Sequence, residues 1–194
     1  MKLGGEKKNV TVMMTDLRGF TGMGEKLPPE KVVSLLNNYL QTMTAVILRY
    51  KGTIDHFIGD AIVVVFGAPV SRRDDAKRAV ACAIEMQLAM DSVNKWNREN
   101  DLPVLEMGIG LNSGDAIVGN IGSEQRSQYD VIGSTVNLAS RIESYTIGGQ
   151  VFISEKTMED IGDILKIGGK IEVLPKGMRK PITIYEVRGI GGEF

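Results

Sequence analysis

The 194 residues carry 23 basic against 24 acidic side chains, so no net field would hold the chain on nucleic acid or on an anionic membrane. With 43% hydrophobic residues, this length suits one domain with a core of ordinary size. No stretch is long and apolar enough to cross a bilayer, and the polar residues from Met1 to Asn9 lack the apolar core of a secretory signal, which predicts a cytoplasmic setting without membrane insertion.

Val10 to Leu17 alternates as a strand, with Asp16 at its carboxyl end in the same parity as Val10, Val12 and Met14. Pro28 and Pro29 open a long amphipathic helix that Gly52 can close. Thr53 to Phe66 reads as two strands joined by Gly59-Asp60, a tight hairpin with Asp60 at its tip. Asp74 and Asp75 favour the start of a helix running to about Asn97. Its Cys82, the only cysteine, lies among Ala79, Val80, Ala81, Ala83 and Ile84 and reads as a small core residue.

Leu105 to Leu111 and Asp115 to Ile121 read as a second strand pair bent at Asn112-Ser113-Gly114. Ser134 or Thr135 can cap a helix to about Tyr145. A strand over Gln150 to Ser154, a helix over Glu155 to Ile161 and a strand pair over Ile171 to Leu174 and Ile182 to Val187 complete the order. This is an α+β pattern, an α/β sandwich with a largely antiparallel sheet and helices on one face. Gly4, Gly5 and the stretch from Gly189 to Phe194 read as flexible ends.

Asp16 is followed by Leu17-Arg18-Gly19-Phe20-Thr21, where a glycine and a helix start can aim N–H groups at a phosphate. With Asp60 it would make an oxygen-rich pair suited to Mg2+. Read singly, each aspartate is a turn residue. Asn137 and Arg141 are four apart and share a helix face, where they could grip a ribose and a phosphoryl group. Lys176 lies in a loop between strands, an ordinary place for a solvated lysine that is also compatible with phosphate binding.

Together these residues resemble the class III adenylyl and guanylyl cyclase catalytic domains. The likeness runs from about Lys8 to Val187 and is anchored by TDLRGFT, DHFIGDAIVVVFGAP, GLNSGDAIVGNIG, YDVIGSTVNLASRIE and LPKGMRKPITIYEV. It implies a ferredoxin-like βαββαβ core and one catalytic domain over 8–188, with 1–7 and 189–194 as flexible ends. It also implies conversion of ATP to cyclic AMP and pyrophosphate with two divalent cations, Mg2+ or Mn2+. In the family, the positions of Asp16 and Asp60 hold the metals, and the loop through Phe20 and Thr21 wraps the triphosphate. From the second subunit, the position of Asn137 orients the ribose and that of Arg141 stabilises charge on the α-phosphate, while the position of Lys176 matches a family lysine that contacts the triphosphate.

Both half-sets lie on this one chain, so the resemblance implies a homodimer, with regulatory domains fused elsewhere in a longer protein. At the base-reading positions, Asp130 can accept from the adenine N6 amine and would face guanine O6 with like polarity. His56 stands where adenylyl cyclases generally carry Lys and guanylyl cyclases Glu, and an imidazole N–H can donate to adenine N1. Gly108 replaces an arginine that reaches the phosphates in many relatives, an expectation of weaker triphosphate affinity. The alternatives are a guanylate or mixed-specificity cyclase and a catalytically silent nucleotide-binding or dimerisation module. A palm-type polymerase or diguanylate cyclase shares the paired carboxylates but is disfavoured by the Asn137/Arg141 helix and the YDVIGSTVNLASR run.

Overall fold

The computed structural model describes residues 3–123 and 125–192. In chain order they form β1 (Gly4–Leu17), α1 (Phe20–Gly24), α2 (Pro29–Arg49), β2 (Thr53–Ile58), β3 (Ala61–Phe66), α3 (Asp75–Glu99), β4 (Met107–Gly122) and β5 (Ser127–Ile132). There follow α4 (Ser134–Ser144), β6 (Val151–Ser154), α5 (Glu155–Ile161), β7 (Leu165–Val173) and β8 (Ile182–Ile190). One sheet runs β2-β3-β1-β4-β6-β8-β7, with β5 paired to β4. Its ladders are antiparallel except β4 with β6. The βαββαβ core expected from the sequence is therefore present, with β1 between β3 and β4.

Alternation along β1 separates two cores. Met13 and Leu17 join Leu35, Tyr39 and Met43 of α2 and Ala79, Cys82 and Met86 of α3. Val10 and Val12 point the other way and meet Val63, Val65, Ala116 and Ala139. Each buried Val, Leu or Met among them contributes on the order of 1.5–3 kcal/mol. The second core corrects the expectation that all helices pack on one face, since α4 lies opposite α2 and α3. Cys82 is fully buried, and burial pushes its thiol pKa up, as a core role requires.

The bend expected at Asn112-Ser113-Gly114 is absent, and one strand of 16 residues runs through it. The polar side chains are satisfied without a turn: Asn112 Nδ2 donates to the Thr135 carbonyl at 3.1 Å, and Ser113 Oγ lies 2.8 Å from Thr11 Oγ1 and 2.9 Å from Thr157 Oγ1. β4 thus pairs with β1 over the full length of β1, from Gly4↔Asn120 to Leu17↔Met107. That register corrects the reading of residues 4–7 as a loose end, and β8 likewise includes Gly189 and Ile190. Met1, Lys2, Glu193 and Phe194 lie outside the described residues. β5, which the sequence reading left without an element, completes the edge beside β4.

Candidate active site

Asp16 is the penultimate residue of β1, opposite Gly108 of β4. Asp60 occupies the turn between β2 and β3, where Gly59 takes φ 62, a conformation that favours glycine. β3 lies beside β1, so the hairpin tip reaches the end of that strand, and Asp60 Oδ2 accepts from the Leu17 amide at 2.9 Å. The structure thus brings together the two aspartates the sequence singled out. Burial pushes the Asp16 carboxyl up to about 6, and Asp60 adds to this by hydrogen bonding and charge. Arg18 and the Leu17 amide pull it back. Two acceptor-rich carboxyls that repel one another, one of them 41% exposed, suit a hard divalent cation that takes further ligands from phosphate and water.

Arg18 stands 3.8 Å from Asp16 Oδ2 and forms an ion pair with Glu143 of α4. Its Nη2 lies 2.7 Å from where a Cβ on Gly108 would sit. The space beside residue 108 is thus filled by the Thr146 side chain and by the guanidinium of Arg18, the residue that follows β1. Gly19, at φ 69, turns the chain into α1, whose first two residues are Phe20 and Thr21. The first N–H groups of a helix have no partner within it.

Asn137 and Arg141 line a cavity of about 350 Å³ together with Asn112, Thr135 and Met178. Neither Asp16 nor Asp60 is among its lining residues. Thr135 fixes the start of α4 through its hydroxyl, which donates to the Asp115 carbonyl at 2.6 Å. The capping expected of Ser134 or Thr135 is not made, because the helix begins one residue earlier, with Gly133 at the cap. Lys176 is exposed in the loop between β7 and β8. That loop lies against Arg141: a Cβ on Gly177 would come 3.7 Å from Arg141 Nη2.

His56 and Asp130 belong to one cluster. The register of β2 slips between Ile54 and His56, leaving Asp55 as the extra residue of a bulge. A regular strand would send neighbouring side chains to opposite faces, whereas the bulge lets both act together. Asp55 Oδ2 lies 2.7 Å from His56 Nδ1. Asp130 Oδ1 accepts from the Val131 amide at 2.8 Å, and Oδ2 accepts from Gln128 Nε2 at 3.3 Å. Ligand-type atoms of Asp55, His56 and Asp130 fall within 4.8 Å of one another, a spacing at which a metal ion can be held, and in this structure all three are engaged in hydrogen bonds. Burial pushes Asp55 up to about 6, His56 pulls it down, and Asp130 pushes it up again. Sequence reasoning missed Asp55, because a bulge has no signature in an alternating run.

Residues 4–188 match the family described as the adenylate and guanylate cyclase catalytic domain. Adenylate cyclase 1 of Rhizobium meliloti (strain 1021) is 33% identical over 186 residues, covering 95% of this chain and 28% of that protein's length. The chain therefore spans under a third of that relative. The crystal structure of the guanylyl cyclase Cya2 is 52% identical, with a TM-score of 0.95 over 97% of this chain and 96% of that one. The adenylyl cyclase CyaB from P. aeruginosa is 39% identical, with a TM-score of 0.92 over 96% of this chain and 97% of that one.

Proposed function

Because the chain belongs to the adenylate and guanylate cyclase catalytic domain family, we propose that it converts ATP to 3′,5′-cyclic AMP and pyrophosphate at the interface of a homodimer. The observation that carries this reading is the separation of two half-sites. The Asp16–Asp60 pair sits at the end of β1, whereas Asn137 and Arg141 face a cavity that neither aspartate lines. α4 turns Arg141 to that cavity and Glu143, two residues on, to Arg18, so its two sides serve different places. A second copy, bringing its cavity to the first copy's carboxylates, would complete each site.

Divalent cations, Mg2+ or Mn2+, held by Asp16 and Asp60 would supply Lewis-acid charge to the ribose 3′-oxygen and to the departing pyrophosphate. The chain's own groups do the rest. Phe20 and Thr21 offer N–H groups at the start of α1 to the triphosphate, and Lys176 adds a cation from its loop. Asn137 orients the ribose. Arg141 holds the charge that develops on the α-phosphate as the 3′-oxygen attacks in line. Asp130 accepts from the adenine N6 amine, and His56 meets N1. Phe57, Ile58, Tyr129 and Ile132, exposed on the strands that carry these two residues, supply apolar surface for the partner.

Among the described residues no helix is long and apolar enough to cross a membrane. We read residues 4–190 as the catalytic unit of a longer, regulated protein whose reaction takes place in the cytoplasm.

A second reading, cyclisation of GTP, is favoured by the 52% identity to a guanylyl cyclase and by a histidine where neither Lys nor Glu stands. Turnover of ATP and GTP with Mn2+, measured side by side, decides between them. The shared site is tested by mixing inactive Asp16→Ala and Arg141→Ala chains. Half the dimers would then be mixed, each with one intact site of two, so roughly a quarter of wild-type activity should return. No recovery despite demonstrated subunit exchange would refute the composite site.

A further inference from the structure

We propose that Asp55 is a positioning residue that sets base specificity: by accepting the Nδ1–H of His56 it turns Nε2 to the purine, which meets a donor when the pair holds one extra proton and an acceptor when it does not. This deepens the proposed function and rests on it.

The bulge leaves Asp55 unpaired in the β2–β3 ladder and sets its carboxyl, 3% exposed, against the His56 ring, which is 38% exposed. A buried carboxyl on one ring nitrogen fixes both the orientation of the ring and the role of the other nitrogen. With a carboxylate on Nδ1–H, a neutral imidazole presents a lone pair at Nε2. Such an acceptor suits guanine N1–H and repels adenine N1. Adding one proton, whether it makes the imidazolium or sits on Asp55, turns Nε2 into a donor. Adenine N1 then finds its partner, while Asp130 takes the N6 amine.

The groups facing His56 all bear on that proton. Asp55 contributes from its own strand and Asp130 from β5. β3 places Val63 opposite His56, and Ile54 turns toward the α2 side of the core. Two carboxyls therefore face one imidazole, with no fixed cation among these neighbours. A lysine or glutamate at position 56 would commit the site to a donor or an acceptor, whereas His56 held by Asp55 can present either.

The test measures binding of 3′-deoxy-ATP and 3′-deoxy-GTP, together with kcat/KM for ATP and GTP, from about pH 6 to about pH 9. In the wild type the preference for adenine over guanine should fall about tenfold or more as pH rises. In Asp55→Asn, which keeps the shape but removes the charge, the fall should move to lower pH. His56→Lys should hold the preference for adenine at every pH. A flat wild-type ratio would overturn the proposal, as would superimposable profiles for wild type and a folded Asp55→Asn. A merely structural role for Asp55 would weaken both nucleotides alike and leave the pH profile in place. Binding without turnover of either nucleotide would sink the cyclase reading instead, and the binding ratio would still decide the role of Asp55.

Discussion

The Leu17 amide donates to Asp60 Oδ2 at 2.9 Å, and this bond ties the β2–β3 turn to the end of β1 next to Asp16. It fixes the direction of the Asp60 carboxyl beside that of Asp16. Asp16, raised to about 6 by burial and by Asp60, is relieved only in part by Arg18, and a bound cation would relieve it further.

Asp60→Asn keeps the size of the side chain and its acceptor for Leu17 but removes the charge that a cation needs. Mn2+ at about a hundred times its Kd should add about 2.7 kcal/mol to wild-type stability. The same addition should leave Asp60→Asn nearly unchanged. Cyclase activity should fall about a hundredfold or more, because positioning of the nucleophile and charge stabilisation fail together. Thermal unfolding with and without Mn2+, read beside a product assay, checks both halves. Equal metal stabilisation of the two proteins would remove Asp60 from the ligand set.

Arg141 lies on the cavity face of α4, close to the loop that carries Lys176. A donor that acts mainly on developing charge should affect kcat more than substrate binding. Arg141→Ala is expected to lower kcat by about a hundred- to a thousandfold, some 2.7–4 kcal/mol of barrier, with KM changed only a few fold. Steady-state kinetics with metal in excess measure the split. A rise in KM with kcat preserved would make Arg141 a ground-state anchor instead.

Arg78 is 4% exposed, and its Nε donates to Asp74 Oδ1 at 2.9 Å while Nη1 donates to the Tyr50 carbonyl at 2.6 Å. The guanidinium also pairs with Asp75 and sits 5.6 Å from the centre of the Phe66 ring. Its hydrogen bond holds the Asp74 carboxyl below the ordinary range. The stability this confers is complete above the unfolded carboxyl value of about 3.9 and is lost as pH falls through the lower folded value. Asp74→Asn should therefore cost under about 1 kcal/mol at neutral pH, since the carboxyl is partly exposed and screened. The difference should shrink in acid, and urea midpoints measured at about pH 7 and about pH 3 test this sign. Arg78→Ala should cost more, because it strands the Tyr50 carbonyl and Asp75.

Asp16 and Asp60 were legible because strand alternation and a Gly-Asp turn each fix a position without reference to the rest of the chain. That Asn137 and Arg141 share a helix face followed from their spacing, whereas the roles expected of them came with the family resemblance. The course of β4 was not. Asn112, Ser113 and Gly114 are turn formers by local preference, and only partners on β1, α4 and α5, distant in sequence, satisfy them in an extended strand. The bulge at Asp55 is likewise a property of the β2–β3 pairing, not of β2 alone. Gly108 read as a lost arginine, whereas its neighbours in space, Thr146 and Arg18, leave no room for a side chain there.

Gly110 extends that argument to a measurable cost. It faces α4 from β4, and a Cβ at this position would overlap the backbone of Glu143. A backbone atom cannot rotate aside as a side-chain tip can, so Gly110→Ala must push α4 off the sheet or strain β4. Loss of stability of about 1–3 kcal/mol is expected by analogy with other overpacked cores. The same displacement would move Arg141 and Asn137 and disturb the Glu143 grip on Arg18 beside Asp16. Activity should therefore fall by more than the folded fraction does, under conditions where circular dichroism shows the variant fully folded. If Gly110→Ala matched the wild type in both urea midpoint and turnover, the close packing of α4 on β4 would not be what sets the two half-sites.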